Sequence, residues 1–400
     1  FIDTTHHTMR SYAVEFGLAR EDVRRFPGEV FYEFGGVRYP EEDVVAEYRA
    51  LVPRMRADLQ TLSGEPTFFS KTPADIALDN VSLREWLDTR AADLPLIRRV
   101  LDVAYTIEYG REAAEQSCLN LLLFIHADRR RKFTPFGVFS DERFHITGGN
   151  DAIATRIAQR LPGPVNLGAR LMRLARRASG EYEMVFAGGQ ALAADFVVVT
   201  VPFTVLRTLD LDPSLGLSAD KVHAINTLGY GDNSKTMVGF EGRPWEAVGC
   251  DGAVYSDRAN LQATWQTNPS LSGATSIITD YSGGVRGLTL GAIPLQTQAA
   301  QFLADFDAVV PGAAAAASRP TPGTLRAARM HWPTEPLSRG SYTSYTPGQF
   351  TGIAGLEAQA AGRLKFAGEH ADSFYSWQGF MEGACLSGLR AAGEILADLK

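Results

Sequence analysis

The apolar positions of this chain change period along its length. After the polar run Asp3-Thr4-Thr5-His6-His7, Met9, Tyr12, Ala13 and Phe16 recur at helical spacing and Gly17 supplies the stop. Between residues 28 and 40, Val30, Tyr32 and Phe34 alternate with polar neighbours, Gly35-Gly36 turns, and Val37 and Tyr39 answer: a hairpin. Residues 40–131 read as mostly helical, broken near Gly64-Glu65-Pro66 and Lys71-Thr72-Pro73, with Val81, Leu83, Trp86 and Leu87 forming one apolar face. The pattern then turns to mixed α/β. Short strands are predicted at 143–146, 165–174 and 182–186, a Gly148-Gly149-Asn150-Asp151 turn leads into a helix over 152–160, and Gly188-Gly189 makes a further turn. The unbroken run 196–201, ending at Pro202, suits a strand buried on both faces of a parallel sheet. Residues 230–300 read as strands separated by Gly and Asn turns, and the Ala-rich patch 312–318 as a surface connection.

The last forty residues carry the most information. Residues 364–368 read as a strand entering a Gly turn; a polar and aromatic loop follows, and then a helix from Met381 to about Leu399. Gly383, Ala384, Ser387, Gly388, Ala391 and Ala392 put small side chains on one stripe of that helix. So bare a helix brings its backbone close to a sheet or a planar ligand, and its first N–H groups carry a partial positive charge. A plain small-residue packing helix is the alternative.

Composition narrows the classes. With 400 residues, 45% of them apolar, the chain can bury two or more cores. A net charge of −7 leaves no basic footprint, so nucleic acid is not an expected partner. Cys118, Cys250 and Cys385 are too far apart for a disulfide framework or a CxxC site, and no metal cluster is expected: His6-His7 lacks partners at ligand spacing. The longest apolar stretch in the first half, 119–125, is far short of the ~20 residues that span a bilayer. Lysine occurs at only six positions, so Lys235, at the head of the apolar stretch 236–240, either points to solvent or is held for a purpose. The basic run Arg129-Arg130-Arg131-Lys132 reads as a solvated helix end. A chain that opens at Phe1 reads as starting within an element, so its compartment is left open, cytoplasmic or exported.

The stretch Phe366-Ala367-Gly368-Glu369-His370, then Trp377-Gln378-Gly379-Phe380-Met381-Glu382-Gly383-Ala384 and Ser387-Gly388-Leu389-Arg390-Ala391-Ala392, closely resembles the C-terminal flavin signature of the FAD-dependent amine oxidases. That family includes monoamine oxidase, polyamine oxidases and L-amino-acid oxidases. Gly148 to Asp151, the strand ending at Pro202, the segment Gly231 to Val238 with Arg243-Pro244-Trp245 after it, and His331-Trp332-Pro333 through Tyr345 resemble further family segments. The family opens with a βαβ unit carrying GxGxxG, which this sequence lacks; Gly229-x-Gly231 does not complete the motif. An N-terminal truncation is therefore expected.

The resemblance implies an α/β fold: an FAD-binding Rossmann-like domain, N-terminally truncated, interleaved with a mixed α+β substrate domain, monoamine-oxidase-like. The flavin domain would take 1–22, 141–208 and 346–400, and the substrate domain 23–140 and 209–345, with its helical portion at 40–131. It implies oxidation of a primary or secondary amine with oxygen as acceptor, with an L-amino-acid oxidase or a non-catalytic remnant as alternatives. FAD contacts fall on Leu171, Pro202, Trp332, Gly368, Glu369, Met381, Glu382, Gly383 and Ala384. Lys235 matches the lysine that holds a water beside the flavin, and Tyr342 and Phe380 match the two rings of an aromatic cage. Ordinary core packing is the alternative for either ring. Phe1 falls where amino-acid oxidases carry a carboxylate-binding Arg, which tilts the substrate toward amines. Ser341 stands where monoamine oxidase has its flavin-tethering Cys, so the FAD is expected to be non-covalent. The expected partners are a small amine or amino acid and oxygen, and a homodimer is left open.

Overall fold

A computed structural model describes residues 1–23, 28–125, 135, 140–267, 273–372 and 377–400. The basic run at 129–132 lies outside them. The largest element is a seven-stranded sheet in the order Ala327–His331, Ser234–Glu241, Thr275–Ser282, Leu261–Gln266, Cys250–Arg258, Glu29–Phe34, Val37–Tyr39. Its pairings are antiparallel except that of Cys250–Arg258 with Glu29–Phe34, which is parallel.

Side chains alternate across a strand, so the two faces of this sheet carry different cores. Val238 and Phe240 point to one face, where Phe302 and Phe306 of the helix Leu295–Val309 cover them together with Trp245. The opposite face packs on the helices Glu41–Leu59 and Pro95–Tyr109, which the helix Leu83–Arg90 backs in turn, in one core with Leu51, Trp86, Leu101 and Tyr105. Lys235 is odd-numbered in a strand whose even positions face Phe302. It therefore points toward the helical block, level with Tyr281 on the next strand. The helix Leu83–Arg90 begins as its sequence suggests, with the Ser82 side chain accepting from the Glu85 N–H and Leu83, Trp86 and Leu87 buried.

The other half holds a four-stranded sheet, in the order Ala191–Ala194, Tyr182–Phe186, Leu171–Arg176, Asp210–Leu211, and a parallel pair, Val197–Val199 with Leu364–Phe366. The first helix, His7–Glu15, packs on the closing helix, Met381–Asp398, around Ile2, Met9, Ala13, Ile146 and Ile153. In the parallel pair Leu364 lies opposite Val197 and Phe366 opposite Val199.

Four expectations need correction. The strand read over 165–174 runs instead over Leu171–Arg176, because Gly168, at φ 75°, turns the chain just before it. The β-branched run is a strand only over Val197–Val199, and Val198 is 38% exposed. Burial on both faces needs covering layers and neighbours on both sides, and among the described residues this strand has a single hydrogen-bonded neighbour. The Ala-rich patch is no surface connection: Ala313–Ala316 is a short helix, and Ala313 and Ala317 are buried beside Phe306 and Phe240. Beyond Ser282 the chain becomes helical, as Gly284–Thr289 and Leu295–Val309, because Gln298, Ala299, Phe302, Leu303 and Phe306 repeat at helical spacing.

Candidate functional site

The site is organised by a crossing of backbones that only glycine permits. Gly231 donates its N–H to the Tyr342 carbonyl at 2.9 Å, and Ser341 returns an N–H to the Gly231 carbonyl at 2.8 Å. A Cβ on Gly231 would lie 2.5 Å from the Tyr109 carbonyl oxygen, and one on Gly229 only 2.1 Å from that of Ser344. These two glycines, an incomplete phosphate-loop pattern in the sequence, serve close packing of the segment carrying Lys235 against the segment carrying Tyr342. Asn233 locks the crossing: its amide donates to the Ile107 carbonyl at 2.7 Å and its oxygen accepts from the Ser341 hydroxyl.

Lys235, Tyr342 and Phe1 are brought together through Trp265 and Tyr281, two residues the sequence did not single out. The Lys235 ammonium lies 5.5 Å from the Trp265 ring centroid and 5.2 Å from that of Tyr281. The Tyr281 hydroxyl is 2.8 Å from that of Tyr342, which also donates to the Glu108 carbonyl. The Phe1 ring meets Trp265 edge-on at 6.0 Å. Burial lowers the pKa of Lys235, and the Glu142 carboxylate opposes that shift. The nearby acids are pushed upward. Burial raises Glu108 and Glu142, and burial brings Asp3 to about 6. Glu142 holds a left-handed backbone, φ 44°, with its N–H donated to Asp3 Oδ1 at 2.6 Å, and nothing in the local sequence signals that conformation.

Four of the expected cofactor residues line one cavity of about 400 Å³: Pro202, Gly368, Glu369 and Ala384, together with Thr200 and Gly388. Gly368 sits at φ 116°, and a Cβ there would come within 2.6 Å of the His370 ring. Ser387 ties the closing helix to this turn: its hydroxyl accepts from the Gly368 N–H at 3.0 Å and lies 2.9 Å from the Gly368 carbonyl. The helix starts at Met381 with no side-chain cap, so its first amides remain available to an anionic group. A glycine turn, a small-residue helix face and uncapped amides fit a flavin nucleotide. Gly383 is required for another reason, since a Cβ there would lie 2.2 Å from the Trp377 carbonyl oxygen.

The side chains of Met381 and Glu382 turn away from this cavity. Met381 packs with the cluster around Ile2 and Met9, and Glu382 accepts from the Thr8 N–H at 2.7 Å and the Met9 N–H at 2.9 Å. That leaves their backbone amides for any cofactor contact. Leu171 begins the edge-side sheet opposite Phe186, and Trp332 is tied through its N–H to the Asn233 carbonyl at 3.3 Å. Neither belongs to either cavity's lining.

A larger cavity of about 680 Å³ lies alongside, walled by Leu119, Leu122, Leu123, Phe124, Phe350 and Phe380, with Thr343, Tyr345 and Gln378 as its polar corner. Tyr342 adjoins it, because Gly379 places its α-carbon edge against that ring, a Cβ there lying 3.5 Å from Tyr342 Cδ2. His6, just before the helix His7–Glu15, is fully buried and meets the Trp377 and Phe380 rings edge-on, each at 5.2 Å. Burial lowers its pKa to about 4, so at neutral pH it is an uncharged wall. Among the described residues no group of three or more metal-ligating side chains occurs.

The sequence profile of the flavin containing amine oxidoreductases matches residues 1–396. AofH of Mycobacterium tuberculosis, named as a flavin-containing monoamine oxidase, is 26% identical over 99% of this chain and 85% of its own length. YobN of Bacillus subtilis, named as an L-amino-acid oxidase, is 25% identical over 63% of this chain and 52% of its own, so the match spans about half of that relative. Cyclohexylamine oxidase from Brevibacterium oxydans superposes with a TM-score of 0.83 at 19% identity, over 100% of this chain and 87% of that one, which establishes a shared fold.

Proposed function

The chain belongs to the flavin-containing amine oxidoreductases, and on that premise we propose that it oxidises a primary or secondary amine to an imine, with oxygen as acceptor and non-covalently held FAD. For a primary amine the balance is R₂CH–NH₂ + O₂ + H₂O giving R₂C=O, NH₃ and H₂O₂. FAD supplies the two-electron redox chemistry; the protein contributes binding, orientation and electrostatics. The observation that carries this reading is the adjacency of the apolar 680 Å³ cavity, ending on Phe380 and Thr343, to Tyr342 and the lysine-bearing strand behind it.

Each residue has a task in this reading. The Gly368-Glu369 turn and the amides at Met381 to Ala384 hold the cofactor, with Pro202, Leu171 and Trp332 beside it. Apolar walls exclude water and favour the uncharged amine. Tyr342 and Phe380 restrict its approach. Lys235 holds a proton-bearing cation at Nζ, where negative charge on oxygen is stabilised. Ser341 has its hydroxyl on Asn233, and Cys385 has its sulfur 3.4 Å from Met9 Sδ; neither supplies a thiol for a flavin tether. The division into a flavin half at 1–22, 141–208 and 346–400 and a substrate half at 23–140 and 209–345 belongs to the same proposal. Anaerobic mixing of the flavin-loaded protein with benzylamine or 4-methylpentan-2-amine tests it: loss of the absorbance near 450 nm is expected, then peroxide on admitting air. No bleaching by any amine, with bleaching by L-leucine, would overturn it in favour of an amino-acid oxidase.

A further inference from the structure

The polar corner of the 680 Å³ cavity is formed by Thr343, Tyr345 and Gln378. What it offers a ligand depends on where its protons are committed. Gln378 Nε2 lies 3.3 Å from the His370 carbonyl oxygen and 2.9 Å from the Tyr345 hydroxyl oxygen. A carbonyl only accepts, so the NH₂ end of the amide must face His370, and both of its hydrogens are spent. Oε1 therefore faces away from these partners. Thr343 has committed its one hydroxyl proton as well: it donates to Glu369 Oε2 at 2.8 Å, an oxygen that also accepts from the Gly379 N–H at 2.7 Å. Only lone pairs remain on Thr343 Oγ1 for a ligand.

Two buried carboxyl groups thus hold the corner in one polarity. Glu369 fixes Thr343. Glu357, fully buried, binds the Tyr345 hydroxyl at 2.7 Å through Oε1 and accepts from the Gly355 N–H at 2.7 Å through Oε2. Its carbonyl takes the buried Lys221 ammonium at 2.6 Å, which ties this stretch to the helix Ala219–Thr227. Tyr345, so held, is the anchor for Gln378.

We propose that Gln378 is a specificity-determining residue: its Oε1, together with Thr343 Oγ1, accepts N–H groups of the substrate amine and turns away a substrate carboxylate, and Tyr345 with Glu357 are the positioning residues that keep the amide in that orientation. The inference rests on the amine-oxidising reading above and narrows its substrate class to amines without an α-carboxylate. A carboxylate brought to this corner meets acceptor oxygens where it needs donors. The rest of the wall is mostly apolar, its polar members include the Glu65 carboxyl and the Asn120 amide, and no Lys or Arg occurs among the described lining residues to compensate.

The test uses a matched pair of ligands that cannot be oxidised because they lack an α-hydrogen: 2,4-dimethylpentan-2-amine and α-methylleucine, titrated calorimetrically into the flavin-loaded protein. The wild-type protein is expected to bind the amine at least tenfold tighter than the amino acid. Gln378→Met, of similar length but without an acceptor, is expected to weaken the amine about tenfold, the worth of one such hydrogen bond. Tyr345→Phe is expected to weaken it less, and the double variant to match Gln378→Met alone, because the tyrosine acts through the amide. Unchanged amine affinity in Gln378→Met overturns the assignment, as does equal or tighter binding of α-methylleucine by the wild type. Additive losses in the double variant overturn the positioning role of Tyr345. If Gln378→Met does not fold, unchanged amine affinity in Tyr345→Phe refutes the proposal by itself. Peroxide formation from 4-methylpentan-2-amine by the wild type reports on the oxidase reading separately: it can fail while the affinity pattern holds, and the reverse.

Discussion

Glu382→Gln separates a carboxylate that serves the protein from one that serves the cofactor. Glu382 is 3% exposed and accepts the first-turn amides of Thr8 and Met9 at 2.7 and 2.9 Å. The helix His7–Glu15 has no side-chain cap of its own. Glutamine keeps the shape and one acceptor oxygen but turns an NH₂ toward the second amide, so one bond is lost and the charge at the positive end of the helix disappears. A hydrogen bond to a charged group contributes about 1.5–3 kcal/mol, and a charge at a helix N-terminus about 0.3–1 kcal/mol. The loss should be about 2–3 kcal/mol and local to the first helix. Hydrogen exchange read by mass spectrometry is the assay. Peptides covering 7–15 should exchange roughly 30-fold faster, the equivalent of about 2 kcal/mol, while peptides covering 234–241 should not change. Unchanged exchange at 7–15 with weakened flavin binding would refute the reasoning and return Glu382 to the cofactor.

Three further outcomes follow from the same geometry. Lys235→Met should fold, since methionine fits between Trp265 and Tyr281, and should lower kcat/KM for oxygen at least tenfold, about 1.4 kcal/mol, with kcat/KM for the amine retained; unchanged oxygen kinetics make Lys235 an ordinary strand lysine. Acid precipitation of the flavin-loaded protein should release all the yellow chromophore to the supernatant, because Ser341 offers no thiol; colour retained in the pellet contradicts this. Burial raises the pKa of Glu357 from 4.5 to about 7, in an environment shared with Tyr345, Tyr230 and the Lys221 ammonium, itself lowered by burial to about 7. A raised carboxyl costs stability as pH climbs through that window, so the stability difference between Glu357→Gln and wild type should move in the variant's favour by about 2–3 kcal/mol from pH 4.5 to 7 and flatten above. A pH-independent difference in urea midpoints rejects the assignment.

What the sequence made legible was local or motif-bound. The helical face of Leu83, Trp86 and Leu87, the hairpin around Gly35-Gly36 and the strand-turn-helix from Leu364 to Asp398 all follow from period and turn chemistry. The cofactor role of the Gly368 turn was legible only through its resemblance to the family's C-terminal signature, since the pattern alone also suits a plain packing helix. The partners of Lys235 were not, since Trp265 and Tyr281 reach it only through strand register. The burial of His6 was not legible either, because nothing nearby in sequence predicts that Trp377 and Phe380 will enclose it. The Ala-rich patch misled for the opposite reason: alanines next to a glycine carry no periodicity, and their burial is decided by Phe240 and Phe306.

The capping of the first helix by Glu382 joins groups 374 positions apart. Chain growth at roughly 5–20 residues per second separates their synthesis by tens of seconds. Throughout that interval Ile2, Met9 and Ala13 lack the Met381 and Cys385 side chains that close over them, and the Thr8 and Met9 amides lack their acceptor. The half of the molecule that carries the Gly368 turn therefore cannot be finished piecemeal from the N-terminus. It closes only once residues 381–385 are present, so a chain ended before Met381 leaves Ile2, Met9 and Ala13 uncovered and the Thr8 and Met9 amides without their acceptor.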